Sequence, residues 1–222
     1  MSRLHRARGP VTLVGGGPVD ARQLARALAL APEAVGADGG GDVVLPAGAE
    51  FAAVIGDMDS LRGAEALRAR GVALHEIAEQ ESTDLEKCLR SVEAPLFVGL
   101  GFLGGRIDHH LAAMNALARE ARPVVLLGGQ DLCFRCPQEL DLELAEGTRV
   151  SLFPMAPLRG TVSEGLRWSV AGLAMAPAGR IGTSNQATGG RVRIAFDGPE
   201  MLVVLSQETL VAVIRRLAPR VG

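Results

Sequence analysis

Ile55-Gly56-Asp57-Met58-Asp59-Ser60 is the stretch on which the reading of this chain turns. The apolar run before it, Phe51 to Ile55, reads as a short buried strand, and a helical pattern from Leu61 to Arg70 follows it. In an open α/β sheet, ligands bind beyond the carboxyl ends of the strands. Two carboxylates at such a strand end form a hard-oxygen set of the kind that takes Mg²⁺ together with a phosphate substrate. The competing reading is that Asp59 or Ser60 simply caps the helix, and this motif alone leaves both open.

Working outward, the same arrangement recurs. Val11 to Val14 reads as a strand closing on Gly15-Gly16-Gly17-Pro18, and Ala34 to Ala37 as a strand closing on Asp38-Gly39-Gly40-Gly41. The glycine turn after Val14 is no Walker loop, since no Gly-Lys-Ser/Thr follows. Nor is it a dinucleotide fingerprint, since Asp20 takes the place of the third glycine. It is either a phosphate-facing turn or a tight turn alone. A strand from Val72 to Ile77 precedes Ser82-Thr83-Asp84-Leu85-Glu86, where Thr83 and Glu86 fit a capping box that accounts for them but not for Asp84. Leu96 to Leu100 runs into Gly101-Phe102-Leu103-Gly104-Gly105-Arg106-Ile107-Asp108, with a helix expected from about His109 to Ala121 and a strand from Val124 to Leu127. His109 and His110 read as solvated or capping side chains. Alternation of this kind predicts a doubly wound α/β domain, a mainly parallel sheet with helices on both faces, over residues 1–130. The remainder, 131–222, reads as a smaller antiparallel β domain. Leu140, Leu142 and Leu144 alternate with acids, β-rich runs follow at 148–153, 191–196 and 201–205, and an amphipathic helix closes the chain over 208–217.

Composition narrows the function. A formal charge of −2, 3% aromatic residues and no tyrosine among 222 residues argue against a nucleic-acid binder. No apolar run approaches membrane-spanning length, and the stretch after the basic start is too short for a signal peptide. Cys133 and Cys136 lack a second pair to complete a zinc tetrahedron, so with Cys88 they read as reduced thiols of a cytoplasmic protein.

Asp38, Asp57, Asp59, Asp84 and Asp108 each follow an expected strand on the rim where the loops of a parallel sheet gather. Two carboxylates about 5 Å apart repel by roughly 3 kcal/mol at an effective dielectric near 20, so such a rim calls for a divalent cation or raised pKa values. Arg106 adds a guanidinium fork suited to phosphate, and the flanking glycines let a polyphosphate approach the backbone. These residues describe Mg²⁺-dependent phosphoryl transfer without a P-loop, in which the protein positions reactants and neutralises charge.

Ala37-Asp38-Gly39-Gly40, Gly56-Asp57-Met58-Asp59-Ser60, Ser82-Thr83-Asp84-Leu85-Glu86-Lys87 and Gly104-Gly105-Arg106-Ile107-Asp108-His109 resemble the successive motifs of the thiamin pyrophosphokinase family. Ser151-Leu152-Phe153-Pro154, Gly165-Leu166-Arg167-Trp168 and Thr183-Ser184-Asn185 resemble segments of that family's thiamin-binding β domain. The resemblance implies an α/β domain followed by a β-sandwich, in a homodimer whose sites are shared between subunits. It implies transfer of the β,γ-diphosphate of ATP to the hydroxyethyl oxygen of thiamin. Asp57, Asp59 and Asp84 would hold Mg²⁺. Asp38, Arg106 and Asp108, with Gly39, Gly40, Gly104 and Gly105, would arrange the nucleotide. Gln80, Trp168, Ser184 and Asn185 would meet thiamin. Glu81 stands where the family often has aspartate. Trp168, read without the family, is more often a core residue than a ligand-binding one. A pyrophosphokinase of another heteroaromatic alcohol, such as a hydroxymethylpterin, and a non-catalytic nucleotide sensor are the rival functions.

Overall fold

Residues 3–45 and 49–218 are described by a computed structural model. Up to Gly129 the elements run β1 (His5–Arg6), β2 (Val11–Val14), α1 (Ala21–Leu30), β3 (Glu33–Ala37), α2 (Gly40–Val44), β4 (Glu50–Gly56), α3 (Ala64–Ala69), β5 (Ala73–Glu76), α4 (Asp84–Ser91), β6 (Val92–Glu93), β7 (Phe97–Leu100), α5 (Ile107–Arg119) and β8 (Val124–Gly128). Two units emerge, Met1–Ala116 with Leu126–Gly129, and Leu117–Val125 with Gln130–Gly222. No helix among the described residues is long and apolar enough to cross a membrane.

In the first unit β7, β2, β3, β4 and β5 lie side by side in that order, all parallel. Val11–Val14 and Phe97–Leu100 are buried at every residue, as strands covered by helices on both faces must be. The chain steps outward from β2 to β5 and then returns to the far side of β2 for β7. Right-handed crossovers therefore place α1 to α3 on one face and α4 on the other, and the switch point falls between β2 and β7. Leu67 of α3 packs with Val54 and Val72, while α4 lies on β3 and β4.

The helix expected from Leu61 starts only at Ala64. Asp42, on α2, accepts hydrogen bonds from the amides of Arg62 (2.9 Å) and Gly63 (2.7 Å) and holds this segment as a turn. Gly63 takes the N-cap position without a side-chain cap, so neither Asp59 nor Ser60 caps a helix. The capping box at α4 is as expected, with Thr83 and Glu86 bonded reciprocally.

The second unit contains β9 (Asp131–Arg135), β10 (Glu139–Leu144), β11 (Arg149–Pro154), β12 (Leu158–Glu164), β13 (Ala174–Met175), β14 (Gly182–Gln186), β15 (Gly190–Phe196), β16 (Met201–Ser206), a 3₁₀ turn at Gln207–Thr209 and α6 (Leu210–Leu217). One antiparallel sheet orders β9-β16-β11-β14 and the other β10-β15-β12-β13. Leu140, Leu142 and Leu144 point into the core. Outward acids beside them pair across the strands, Asp141 with Arg191 (2.7 Å) and Glu139 with Arg193 (2.7 Å), and Glu164 of β12 completes the ladder on Arg193 (3.1 Å). Cys88, Cys133 and Cys136 are buried thiols.

Candidate active site

The strand-end loops of the first unit surround a cleft of about 1080 Å³. Asp38, Asp57, Asp59, Asp84, Gln80 and Arg106 all line it. Asp38 follows β3 in a left-handed conformation (φ 46°) and Met58 follows Asp57 likewise (φ 66°). Non-glycine residues adopt this region at a cost of order 1–3 kcal/mol, and such strain concentrates at functional sites. The Met58 side chain turns into the Val54–Leu67–Val72 cluster, leaving Asp57 and Asp59 to the cleft. Gly56 has no room for a side chain, since a Cβ there would lie 2.7 Å from the Cβ of Asp38. Asp38 is thereby laid over the end of β4, beside the two aspartates.

One oxygen from each of Asp38, Asp57 and Asp59 falls within 4.8 Å of the others. Asp38 is 4% exposed. Its Oδ2 accepts from the Ser60 amide at 3.2 Å, whereas its Oδ1 is buried with no partner among the described residues. Burial raises the Asp38 pKa, and the charges of Asp57 and Asp59 add to the rise. Asp57 moves the other way. The Gln80 amide, donating to its Oδ2 at 2.9 Å, is the chief cause of a lowered pKa, with Lys87 contributing. Asp84 opens α4, its pKa raised by burial against the opposing pull of Lys87.

Lys87 was not singled out by sequence. It is 2% exposed, with its Nζ 3.5 Å from Asp57 Oδ2 and 3.7 Å from Asp84 Oδ1. A single buried ammonium thus serves two of the four aspartates that line the cleft, while Asp38, with its orphaned oxygen, and Asp59 share the 4.8 Å set with Asp57. Mg²⁺ fits this set: an octahedral ion at about 2.1 Å per ligand separates its oxygens by about 3 to 4.2 Å, close to the spacing present. A further bond network braces Gln80. Glu79 accepts from the amides of Glu81 (2.7 Å) and Ser82 (3.1 Å), from the Ser82 hydroxyl and from Arg90 of α4. These bonds hold its pKa down at about 2, that with the Ser82 hydroxyl being the largest cause and that with Arg90 next.

Arg106 and Asp108 form an exposed two-pronged pair, Nε to Oδ1 at 3.1 Å and Nη2 to Oδ2 at 2.6 Å. The pairing with Arg106 is the main reason for the lowered Asp108 pKa. Gly104 (φ 89°) and Gly105 (φ 74°) before them are both left-handed, and Gly104 donates to His110 Nδ1 at 3.4 Å. Gly39 and Gly40 start α2, and Gly39 lines the cleft with Gly104 and Gly105.

Trp168, Ser184 and Asn185 come together in the second unit around a pocket of about 280 Å³ that also includes Met175, Arg180 and Ile181. Trp168 is 53% exposed, so the core alternative for it does not hold. Ser184 is left-handed (φ 61°), and its amide donates to Ser151 Oγ at 3.0 Å.

A parallel sheet whose strand ends carry a strained acidic cleft, followed by an antiparallel β unit with an aromatic-walled pocket, defines a two-part α/β-plus-β class of protein. Two family descriptions match it in tandem: the thiamin pyrophosphokinase catalytic domain over residues 24–126 and that family's vitamin B1 binding domain over residues 134–200. The chain belongs to the thiamin pyrophosphokinase family. Thiamine pyrophosphokinase 1 of Oryza sativa subsp. japonica is 34% identical over 168 residues, covering 64% of this chain and 61% of the relative. Thiamine pyrophosphokinase 2 of the same plant is 30% identical over 174 residues, covering 70% and 65%. The chain thus spans less than two thirds of the length of these relatives. Among solved structures, thiamine pyrophosphokinase from Bacillus subtilis superposes with a TM-score of 0.73 at 21% identity, covering 89% of this chain and 98% of that one. The yeast enzyme gives 0.74 at 18%, covering 89% and 86%. At these identities the superpositions speak for the fold.

Proposed function

We propose that this protein is a thiamin diphosphokinase, moving the β,γ-diphosphate of ATP onto the hydroxyethyl oxygen of thiamin and releasing AMP. The observation that carries the reading is the Asp38–Asp57–Asp59 cluster with its orphaned Asp38 oxygen, set within the segment that matches the family's catalytic domain. Asp57, Asp59 and Asp84 would hold Mg²⁺, with Asp38 adding an oxygen, and a cation bound there would supply charge neutralisation to the phosphates. Lys87 keeps Asp57 and Asp84 ionised and in place. Arg106 and Asp108, with Gly39, Gly40, Gly104 and Gly105, seat the nucleotide, the arginine exchanging part of its pairing with Asp108 for phosphate. Gln80 holds Asp57 through its amide N–H and offers its carbonyl to thiamin. One carboxylate of the cluster takes the proton of the attacking hydroxyl as the Pβ–O bond forms and the Pα-side oxygen leaves with AMP.

Thiamin is read into the pocket of Trp168, Ser184 and Asn185, whose volume of about 280 Å³ suits a compact two-ring solute. The working division is residues 1–130 for ATP and Mg²⁺ and 131–222 for thiamin. The working assembly is a homodimer in which one subunit's cleft acts with its partner's pocket. Buried thiols without disulfides suit a cytoplasmic protein. A substrate screen tests the reading: thiamin, but not a hydroxymethylpterin, should yield a diphosphate ester with ATP and Mg²⁺. Turnover of the pterin alone would reassign the substrate, and no turnover with either would leave only nucleotide binding.

A further inference from the structure

Asn185 is 4% exposed, yet it sits beside a half-exposed tryptophan at the mouth of a pocket. Its Oδ1 accepts from the Trp168 amide (3.1 Å) and the Gln186 amide (2.9 Å), and its Nδ2 donates to the Trp168 carbonyl (2.7 Å). An asparagine amide offers four hydrogen-bonding positions, and three are turned inward here. The assignment of oxygen and nitrogen is forced, because both partners of Oδ1 are donors and the partner of Nδ2 is an acceptor. One side chain thereby occupies both backbone groups of Trp168, as a neighbouring strand would. The rest of the segment is fixed to match. The Arg167 amide donates to the Gln186 carbonyl at 2.8 Å, and the Val170 amide donates to Ser163 Oγ at 3.0 Å. The indole itself carries the Arg167 guanidinium at 4.9 Å from its centroid, and Arg167 is tied in turn to Gln186 Oε1 at 3.1 Å.

An exposed aromatic side chain on a loop would ordinarily sample several rotamers, and binding would have to freeze them. Here the backbone is clamped and the ring stacked, so that cost is met in folding. We propose that Asn185 is a positioning residue that fixes Trp168 as the rigid wall of the pocket and does not itself recognise the substrate; Arg167 is its accomplice on the ring. This rests on the reading of the pocket as the thiamin site, and Ser184 is left as the polar group that meets the substrate.

Trp168 is the only tryptophan and the chain has no tyrosine, so its fluorescence reports on this side chain alone, without any ligand. In the substrate-free protein, Trp168 anisotropy should decay with overall tumbling. Asn185→Ala should add a fast component on the nanosecond scale or below. The same variant should raise the thiamin KM about tenfold with kcat changed less than about threefold. Asn185→Ala combined with Trp168→Ala should be no worse than Trp168→Ala alone, as expected of residues acting through one another. Asn185→Asp keeps the shape and both accepting contacts but loses the donation to the Trp168 carbonyl. It should shift anisotropy and KM in the same direction, because a carboxylate oxygen there would face the Trp168 carbonyl with no proton to share, and it decides the matter if the alanine variant fails to fold. Unchanged anisotropy, or effects on KM that multiply with those of Trp168→Ala, would overturn the proposal in favour of direct contact or of no role. If Trp168→Ala itself leaves the thiamin KM unchanged, the thiamin reading of the pocket fails, while the anisotropy still judges the clamp.

Discussion

Asp38→Asn should make the metal-free protein more stable and the metal-loaded protein less so. The Asp38 carboxylate shares a 4.8 Å cluster with those of Asp57 and Asp59, and each such pair repels by about 3 kcal/mol at an effective dielectric near 20. The Lys87 ammonium, 3.5 Å from Asp57, offsets much of one pair, and solvent around exposed Asp59 screens the other. A net relief of about 1–2 kcal/mol remains, which for a chain of this size is a Tm gain of about 2–8 °C. Asparagine can still accept from the Ser60 amide, and its Nδ2 would take the place of the Oδ1 that has no partner among the described residues. The assay is thermal unfolding followed by circular dichroism at pH 7, in EDTA and in saturating Mg²⁺. In Mg²⁺ the order should reverse, because the wild type gains linkage stabilisation of about 2.7 kcal/mol at a hundredfold excess over Kd and the variant gains less. The sign with pH is also fixed. Burial holds the folded pKa of Asp38 above its unfolded value, so the penalty exists above the folded pKa and disappears as pH falls through it. The Tm gap in EDTA should therefore close on acidification. A variant less stable than wild type in EDTA at pH 7 would refute the picture of a strained, cation-seeking carboxylate.

Lys87→Met strands two carboxylates around a buried site. Breaking such a pair costs about 3–5 kcal/mol, so Tm should fall by about 6–20 °C and activity by at least about 10²-fold; an unchanged Tm would show that the ammonium is not holding the cluster. Trp168→Ala removes a stacking surface worth about 1–3 kcal/mol from a half-exposed position. The thiamin KM should rise about ten- to a hundredfold while the ATP KM and Tm stay nearly constant; a large drop in Tm would make the residue structural. Mixing Asp57→Asn chains with Trp168→Ala chains under subunit exchange at low thiamin should restore up to about half of wild-type activity per heterodimer, since one of its two shared sites then carries neither lesion. No rescue despite proven exchange would end the shared-site assembly.

Strands β2, β3, β4, β7 and β8 were legible because each is a short apolar run stopped by glycine or aspartate, and Asp38 and Asp57 were legible because they fall at such stops; the two-residue β1 and β6 carry no such signal. What sequence could not show are contacts made across the chain. The turn at Leu61–Gly63 is set by Asp42, some twenty residues earlier, so local periodicity reads straight through it as helix. The helix Gly40–Val44 begins with two glycines, poor helix formers. It is fixed by packing so close that a Cβ on Gly40 would lie 1.8 Å from the Val14 carbonyl oxygen. Lys87 looks like any surface lysine of an amphipathic helix, and only β4, arriving from thirty residues away with Asp57, makes it a buried counter-ion. The one local hint is its i,i+3 spacing from Asp84. Strand β12 escapes notice because Leu-Arg-Gly-Thr-Val-Ser-Glu has few apolar residues. Asn185 reads as a ligand residue beside Ser184, and only the folded loop shows its amide spent on the Trp168 backbone.

The central claim is that the acidic cleft transfers a diphosphoryl group as one piece, and product identity tests it most directly. Incubation with ATP carrying distinguishable β and γ phosphates, Mg²⁺ and thiamin, resolved by ³¹P NMR, should give thiamin diphosphate and AMP in equal amounts, with both labels on thiamin and no product in EDTA. Thiamin monophosphate with ADP, or turnover undiminished by EDTA, would contradict it.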